Sequence, residues 1–204
     1  MFVLATVKKT VRVPALKFNL DHYDAIEEEL NSEYANKVIL DVGLGIALFQ
    51  MRECGESFIL PGDGAYYVKV TFEFVMFRPL VSEILVGRIK SADQESVQIT
   101  LGFFDDIVIP AGYLQANSRF CEVSQTWIWQ VDVEGARHEL AMEMNEEIRF
   151  RVVDEKFTDT SPDKPGPSHE SSSVINHPES KENVPYLITA AINEDGLGLL
   201  SWWT

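Results

Sequence analysis

Apolar and polar residues alternate between positions 68 and 76, with Val68, Val70, Phe72, Phe74 and Met76 set against Lys69, Thr71 and Glu73. A period of two is what a strand with one buried face requires. The run stops at Arg78-Pro79, where proline has no N–H for a ladder and holds the preceding residue extended. Beyond it, β-rich runs at 83–90 and 96–101, separated by 91–95, predict a hairpin with a longer connection. One sheet ends at Phe77, Arg78 and Pro79 and another begins with almost no linker. Two small domains, 1–79 and 80–204, are therefore expected about a short stiff joint.

In the first domain, residues 1–13 predict a strand closed by Pro14, with Val7, Val11 and Val13 of one parity and length enough to bend or carry a bulge. Asp21 stands where a helix N-cap belongs, with Asp24 favourably placed beside the helix N-terminus. Tyr23, Ile26, Leu30 and Tyr34 follow at helical spacing around Glu27, Glu28 and Glu29, which predicts an amphipathic helix over 22–36. Residues 38–51, VILDVGLGIALFQM, hold a glycine pair (Gly43, Gly45) of the kind that lets backbone amides approach a nucleotide. Leu48 occupies the place of a third glycine, however, and 46–49 continue as strand with no second βαβ unit after them. The pattern predicts one long strand with glycines at a bend or a close backbone approach. Pro61-Gly62-Asp63-Gly64 is a turn signal between apolar flanks, either a plain connection or an exposed tip that docks on a partner. These elements make an α+β domain, a helix packed on an antiparallel sheet.

After Gly87 the pattern is all-β. Residues 101–110 predict strand, turn and strand, and 111–114 a short helical turn or loop. Residues 120–133, with Trp127 and Trp129 on one face, predict a further strand, turned by Glu134-Gly135 toward 138–142. Residues 147–153 alternate as another. Five or six short strands suggest a small closed barrel such as an OB-fold. Residues 158–183, rich in Pro, Ser and charge, cannot repay their ordering entropy and predict a disordered insertion in the barrel, with structure resuming at 185–192. Trp202 and Trp203 either dock on this chain's own barrel or meet a partner.

Composition narrows the function. The formal charge is 17 − 32 = −15. A free-standing tight DNA binder neutralises phosphates with Lys and Arg, so this acidity argues against that class while leaving weak contact with RNA open. Cys54 and Cys121 lie far apart with no Cys-x-x-Cys spacing, which predicts half-buried free thiols in a reducing compartment. His22, His138, His169 and His177 have no ligand spacing, so neither a metal nor a cofactor is expected. Lys8, Lys9 and Arg12 interrupt the early apolar residues, and no apolar run reaches the length of a membrane span. The chain reads as soluble and intracellular, with no membrane contact.

Gly62-Asp63-Gly64, Lys69-Val70-x-Phe72, Val75-Met76-Phe77-Arg78-Pro79 and Glu83-Ile84-Leu85-x-Gly87-x-Ile89, in this order and spacing, resemble the larger stalk subunit of archaeal and eukaryotic RNA polymerases. Leu101-Gly102-Phe103-Phe104-Asp105-Asp106-Ile107, the run from Glu147 to Glu155, and the run from Gly196 to Trp203 resemble the RNA polymerase III branch of that family. The resemblance covers nearly the whole chain apart from the Pro/Ser insertion. It implies a tip domain that docks on the polymerase core through Pro61, Gly62, Asp63 and Gly64, an inter-domain joint at Phe77, Arg78 and Pro79, and an OB barrel of the S1 type. It further implies a heterodimer with a smaller stalk subunit, a role in transcription initiation, contact with nascent RNA, a nuclear location and no catalytic residues.

For RNA the sequence offers Arg88, Lys90, Phe103, Phe104, Arg149 and Arg151, because OB barrels stack bases on aromatics and follow the backbone with cations. Adjacent strand residues face opposite ways, so at least one of Phe103 and Phe104 is expected in the core. Arg149 and Arg151 share a parity and can pair with carboxylates as readily as with phosphate. Two competing readings are an autonomous S1-type single-stranded RNA-binding protein and a small methyltransferase built around 41–45.

Overall fold

Val68, Val70, Phe72, Phe74 and Met76 are each at most 2% exposed, as their alternation requires. They line the central strand of the first of two units, Met1–Pro79 and Leu80–Thr204, in a computed structural model that describes residues 1–133, 136–160 and 184–203. The first unit runs β1 (Phe2–Pro14), α1 (His22–Tyr34), β2 (Val38–Ile39), β3 (Gly43–Ile59) and β4 (Ala65–Phe77). Its antiparallel sheet has the order β1-β4-β3-β2. Of the bend or bulge that β1 has the length for, no bulge appears in its pairing. β1 pairs with β4 without a break, whereas β3, at 17 residues against 13 in β4, slips register at four places. Bulges absorb the surplus residues of β3 and bend it.

Helix α1 starts where its cap predicts, the Asp21 carboxylate accepting from the Tyr23 N–H at 3.2 Å. Ala25, Ile26 and Leu30 are at most 1% exposed and pack on Val11, Val13 and the β4 row. Tyr23, expected in that stripe, is instead 55% exposed. The helix also stops at Tyr34 rather than 36. Ala35 is extended and Asn36 left-handed (φ 57°), so the Asn36 N–H leaves the helix for the Gly45 carbonyl at 2.8 Å.

Residues 38–51 are not one strand. The chain reverses after β2, with Asp41 at φ 61°, and Val38 pairs with Leu44. The glycines themselves lie in strand β3 and no helix follows them, so no amide cradle forms at 41–45. Gly45 serves close approach, since a Cβ there would lie 2.1 Å from the Tyr34 carbonyl oxygen.

The second unit holds β5 (Ile84–Ala92), β6 (Ser96–Thr100), β7 (Ile107–Pro110), β8 (Ser118–Cys121), β9 (Thr126–Val133), β10 (Ala136–Ala141), β11 (Glu147–Phe157), β12 (Tyr186–Ala191) and β13 (Gly198–Leu199). Strands β12-β7-β6-β5-β11 form a sheet that β11–β12 pairing closes into a five-stranded barrel, with β13 alongside β11. This agrees with an OB-fold. Ile89, Ile99, Ile107, Phe150, Tyr186 and Ile188 fill it, each fully buried.

Two strand expectations change here. Residues 101–106 are a loop rather than a strand and a turn, with Gly102 at φ 88° and the Asp105 carboxylate held by Thr100 and Lys90. Residues 120–133 are not one strand but the hairpin β8–β9, which joins β10 in a separate three-stranded sheet outside the barrel. Of the insertion expected at 158–183, residues 161–183 lie outside the described residues, as does the turn expected at Glu134-Gly135.

Trp127 and Trp129 share a face of β9. Trp127 donates its indole N–H to the Asp93 carbonyl at 2.9 Å, and Trp129 meets Trp202 at 4.9 Å between ring centroids. The terminal 3-10 turn Leu200–Trp203 thus docks on this second sheet. Gly198, at φ 105°, makes room, because a Cβ there would lie 2.5 Å from the Trp202 ring. Gly198→Ala should expel that ring, shift tryptophan emission to the red and cost about 1–3 kcal/mol in urea unfolding. An unchanged spectrum and midpoint would mean that the ring does not rest there.

Candidate docking tip and nucleic-acid interface

Antiparallel pairing of β1 with β4 sets Arg12 opposite Tyr67, the third residue of β4 after the β3–β4 turn. From there Arg12 reaches the turn and grips Asp63 with both arms, Nε to Oδ2 at 3.0 Å and Nη2 to Oδ1 at 2.6 Å. The Tyr67 hydroxyl donates to the same carboxylate. Gly62 takes φ 88°, the Asp63 N–H bonds the Leu60 carbonyl at 3.2 Å, and the Ala15 N–H bonds the Gly64 carbonyl at 3.0 Å. Pro61, Gly62, Asp63 and Gly64 are therefore a fixed turn. Around it the apolar side chains are wet, Leu16 at 92%, Ile59 at 68% and Leu60 at 44%. Sequence reasoning missed Arg12 and Tyr67, whose part depends on strand register, and Leu16, which lies far away in the chain.

The Arg12 guanidinium, seconded by the Tyr67 hydroxyl, holds the Asp63 carboxyl down at about 2. A carboxyl depressed on folding stabilises fully above its unfolded value, near 3.8, and loses that contribution as pH falls through about 2. A carbon-13 carboxyl titration of the full chain should put the Asp63 midpoint near 2, and Arg12→Ala should raise it. A midpoint at the ordinary value would mean the clasp does not form.

At the end of the same unit, Phe77 is fully buried, the Arg78 N–H bonds the Met1 carbonyl at 2.9 Å and the Arg78 guanidinium donates to the Asp41 carbonyl.

On the barrel, β5–β11 pairing puts Arg88 opposite Glu147, and they bond at 3.0 Å. Both line a concavity of about 340 Å³ with Gly87, Thr100 and Gly102. Lys90 reaches Asp105 at 2.7 Å, in the loop that carries Phe103. Phe103 is 43% exposed, while Phe104 is 5% exposed with its ring on Tyr186. Arg149 and Arg151 turn to another neighbourhood. Arg149 donates to the Gly196 carbonyl at 3.3 Å, and Arg151 to the Ser82 carbonyl and to Glu194 at 2.7 Å. The structure thus gathers Arg88, Lys90 and Phe103 about one loop and sets the other two arginines on the 194–196 segment. Every one of these cations already has an acceptor, so a phosphate there must compete with it.

Among the described residues no group of His, Cys, Asp and Glu is placed to hold a metal ion, and no helix is long and apolar enough to cross a membrane.

A family model described as RNA polymerase III subunit Rpc25 matches residues 83–203. A second, described as the SHS2 domain found in the N terminus of Rpb7p/Rpc25p/MJ0397, matches residues 8–64. The chain is 47% identical to the DNA-directed RNA polymerase III subunit RPC8 of Bos taurus, over 100% of this chain and 99% of that one. It is 35% identical to the subunit rpc8 of Schizosaccharomyces pombe over the whole of both chains. An archaeal relative, the DNA-directed RNA polymerase subunit Rpo7 of Sulfolobus acidocaldarius, is 29% identical over 59% of this chain and 66% of its own. A sheet with one helix, an OB-like barrel and this end-to-end likeness converge: the chain belongs to the family of the RNA polymerase III subunit Rpc25.

Proposed function

We propose that this protein is a non-catalytic stalk subunit of nuclear RNA polymerase III. It forms a heterodimer with a smaller stalk subunit, docks on the polymerase core through the 61–64 tip, supports transcription initiation, and touches nascent single-stranded RNA weakly through its barrel. Phe77, Arg78 and Pro79 serve as the joint between tip and barrel. The observation that carries this reading is the tip itself, a rigid turn ringed by exposed Leu16, Ile59 and Leu60, which is the composition of a protein-docking surface. The carboxylate-paired cations of the barrel support weak rather than tight RNA contact. They also weigh against an autonomous RNA-binding protein.

Tagged in cells, the chain should bring down the polymerase III core and the smaller stalk subunit, and its depletion should lower initiation in extracts. Phe103→Ala should reduce crosslinking to the nascent transcript about fivefold or more, the scale of one lost base stack, with polymerase association intact. A chain that purifies alone and holds oligouridylate tightly at physiological salt would favour the autonomous reading instead.

A further inference from the structure

The face of the first sheet turned away from α1 carries a feature that tip docking and RNA contact leave unused. Lys8 and Thr10 on β1 pair with Thr71 and Lys69 on β4, so the two lysines lie diagonally across one face. They line a concavity of about 490 Å³ together with Glu53 and Gly55 of β3. Gly55 sits in the bulge between Cys54 and Ser57, where a Cβ would lie 3.2 Å from the Lys69 carbonyl oxygen. Its missing side chain keeps the floor of the concavity open.

Charge makes this place unusual. In a chain of formal charge −15, the neighbouring cations lean on carboxylates: Lys9 on Glu33, Arg12 on Asp63, Lys17 on Glu28 and Glu29, Arg52 on Glu73. Lys8 and Lys69 have no carboxylate partner among the described residues. Their charge is presented to solvent inside a concave surface, beside hydroxyls that both donate and accept.

We propose that this concavity binds an extended acidic segment of a partner protein, laid across β1 and β4 with its carboxylates on Lys8 and Lys69. Glu53 decides between peptide and nucleic acid. Its carboxylate, which accepts from the Thr71 hydroxyl at 3.1 Å, repels anions of either kind, but a phosphodiester linkage brings it no hydrogen-bond donor. It can accept the backbone N–H of a peptide, which brings donors and carboxylates together. The face also has Tyr67 already stacked on Phe58 at 5.8 Å and bonded to Asp63, so one side of that ring and its hydroxyl are already taken.

The test is fluorescence anisotropy on the full chain with a short fluorescein-labelled peptide of alternating Glu and Ser, its Gln and Ser counterpart, and oligouridylate. The acidic peptide should bind at low salt, weaken as salt rises, and lose about tenfold in affinity to the Lys8→Glu/Lys69→Glu double variant. The Lys8→Arg/Lys69→Arg variant should retain binding, and the Gln peptide should not bind. Both lysines are exposed, and unchanged circular dichroism and thermal melting would exclude a folding defect. Equal binding of the acidic peptide to the Glu double variant would overturn the proposal, as would its failure to bind the native chain at low salt. A loss of oligouridylate binding in its place would make this an RNA surface and the proposal wrong. None of these readouts depends on tip docking, so either reading can fail without the other.

Discussion

Gly45→Val should remove about 3–5 kcal/mol from the stability of the first unit. The new Cβ would lie 2.1 Å from the Tyr34 carbonyl oxygen and 3.3 Å from the Phe74 ring. The nearer atom is backbone at the C-terminal end of α1, so no rotamer change relieves the contact. Overpacking of this kind costs about 1–3 kcal/mol. Two hydrogen bonds are drawn in with it, Gly45 N–H to the Lys37 carbonyl at 2.9 Å and Asn36 N–H to the Gly45 carbonyl at 2.8 Å. Each is worth roughly 1 kcal/mol. The total is a large part of the roughly 5–15 kcal/mol that holds a domain. Urea unfolding of the full chain, followed by far-ultraviolet circular dichroism, measures it. Gly112→Ala is the control, since nothing lies within 4 Å of a Cβ there. Equal midpoints for the two variants would mean that the end of α1 swings clear of β3 at no cost.

That glycine marks how far the sequence could be read. The alternation from Val68 to Met76 and the Asp21 cap announce their elements because strand parity and capping are local matters. The glycine pair at 43 and 45 was legible as a close approach or a bend, but not the atom approached, which belongs to the end of a helix. The β8–β9 hairpin was missed for a nearby reason. Its turn, Glu122-Val123-Ser124-Gln125, contains no Gly, Pro or Asn, and Gln125 takes the left-handed φ of 54° usually left to Gly or Asn. With no punctuation, two strands read as one, and the second sheet disappeared into the barrel.

The candidate sites divide along the same line. Pro61 to Gly64 reads as a turn from composition alone, yet Arg12, which fixes it, lies 51 residues from Asp63. The barrel cations can be counted in the sequence, but whether they are free depends on register, as when β5–β11 pairing sets Arg88 on Glu147. Phe103 and Phe104 show the limit most plainly. Strand parity puts at least one of them in the core, but the two lie in a loop, and it is packing against Tyr186 that buries Phe104.

Replacing Ile59 and Leu60 at the tip by aspartate should lower association with the polymerase core about a thousandfold, while leaving the free chain folded. The two side chains are 68% and 44% exposed, so their removal forfeits little packing within the chain. An apolar anchor at the centre of an interface is worth about 2–4 kcal/mol, and such losses do not simply add. A thousandfold corresponds to about 4 kcal/mol, which two such anchors supply without counting the further penalty of burying unpaired carboxylates. Asp63→Asn should do less, because it keeps the side chain's shape and weakens only the clasp with Arg12. Co-purification with the core from cells expressing each variant separates the cases. If the Asp pair at 59 and 60 still travels with the core at native yield, the apolar ring is not the grip, and docking must rest on another face of the first unit. If the Asp63→Asn variant is the one lost, the turn acts through its charge, and the ring of wet side chains around it needs a different explanation.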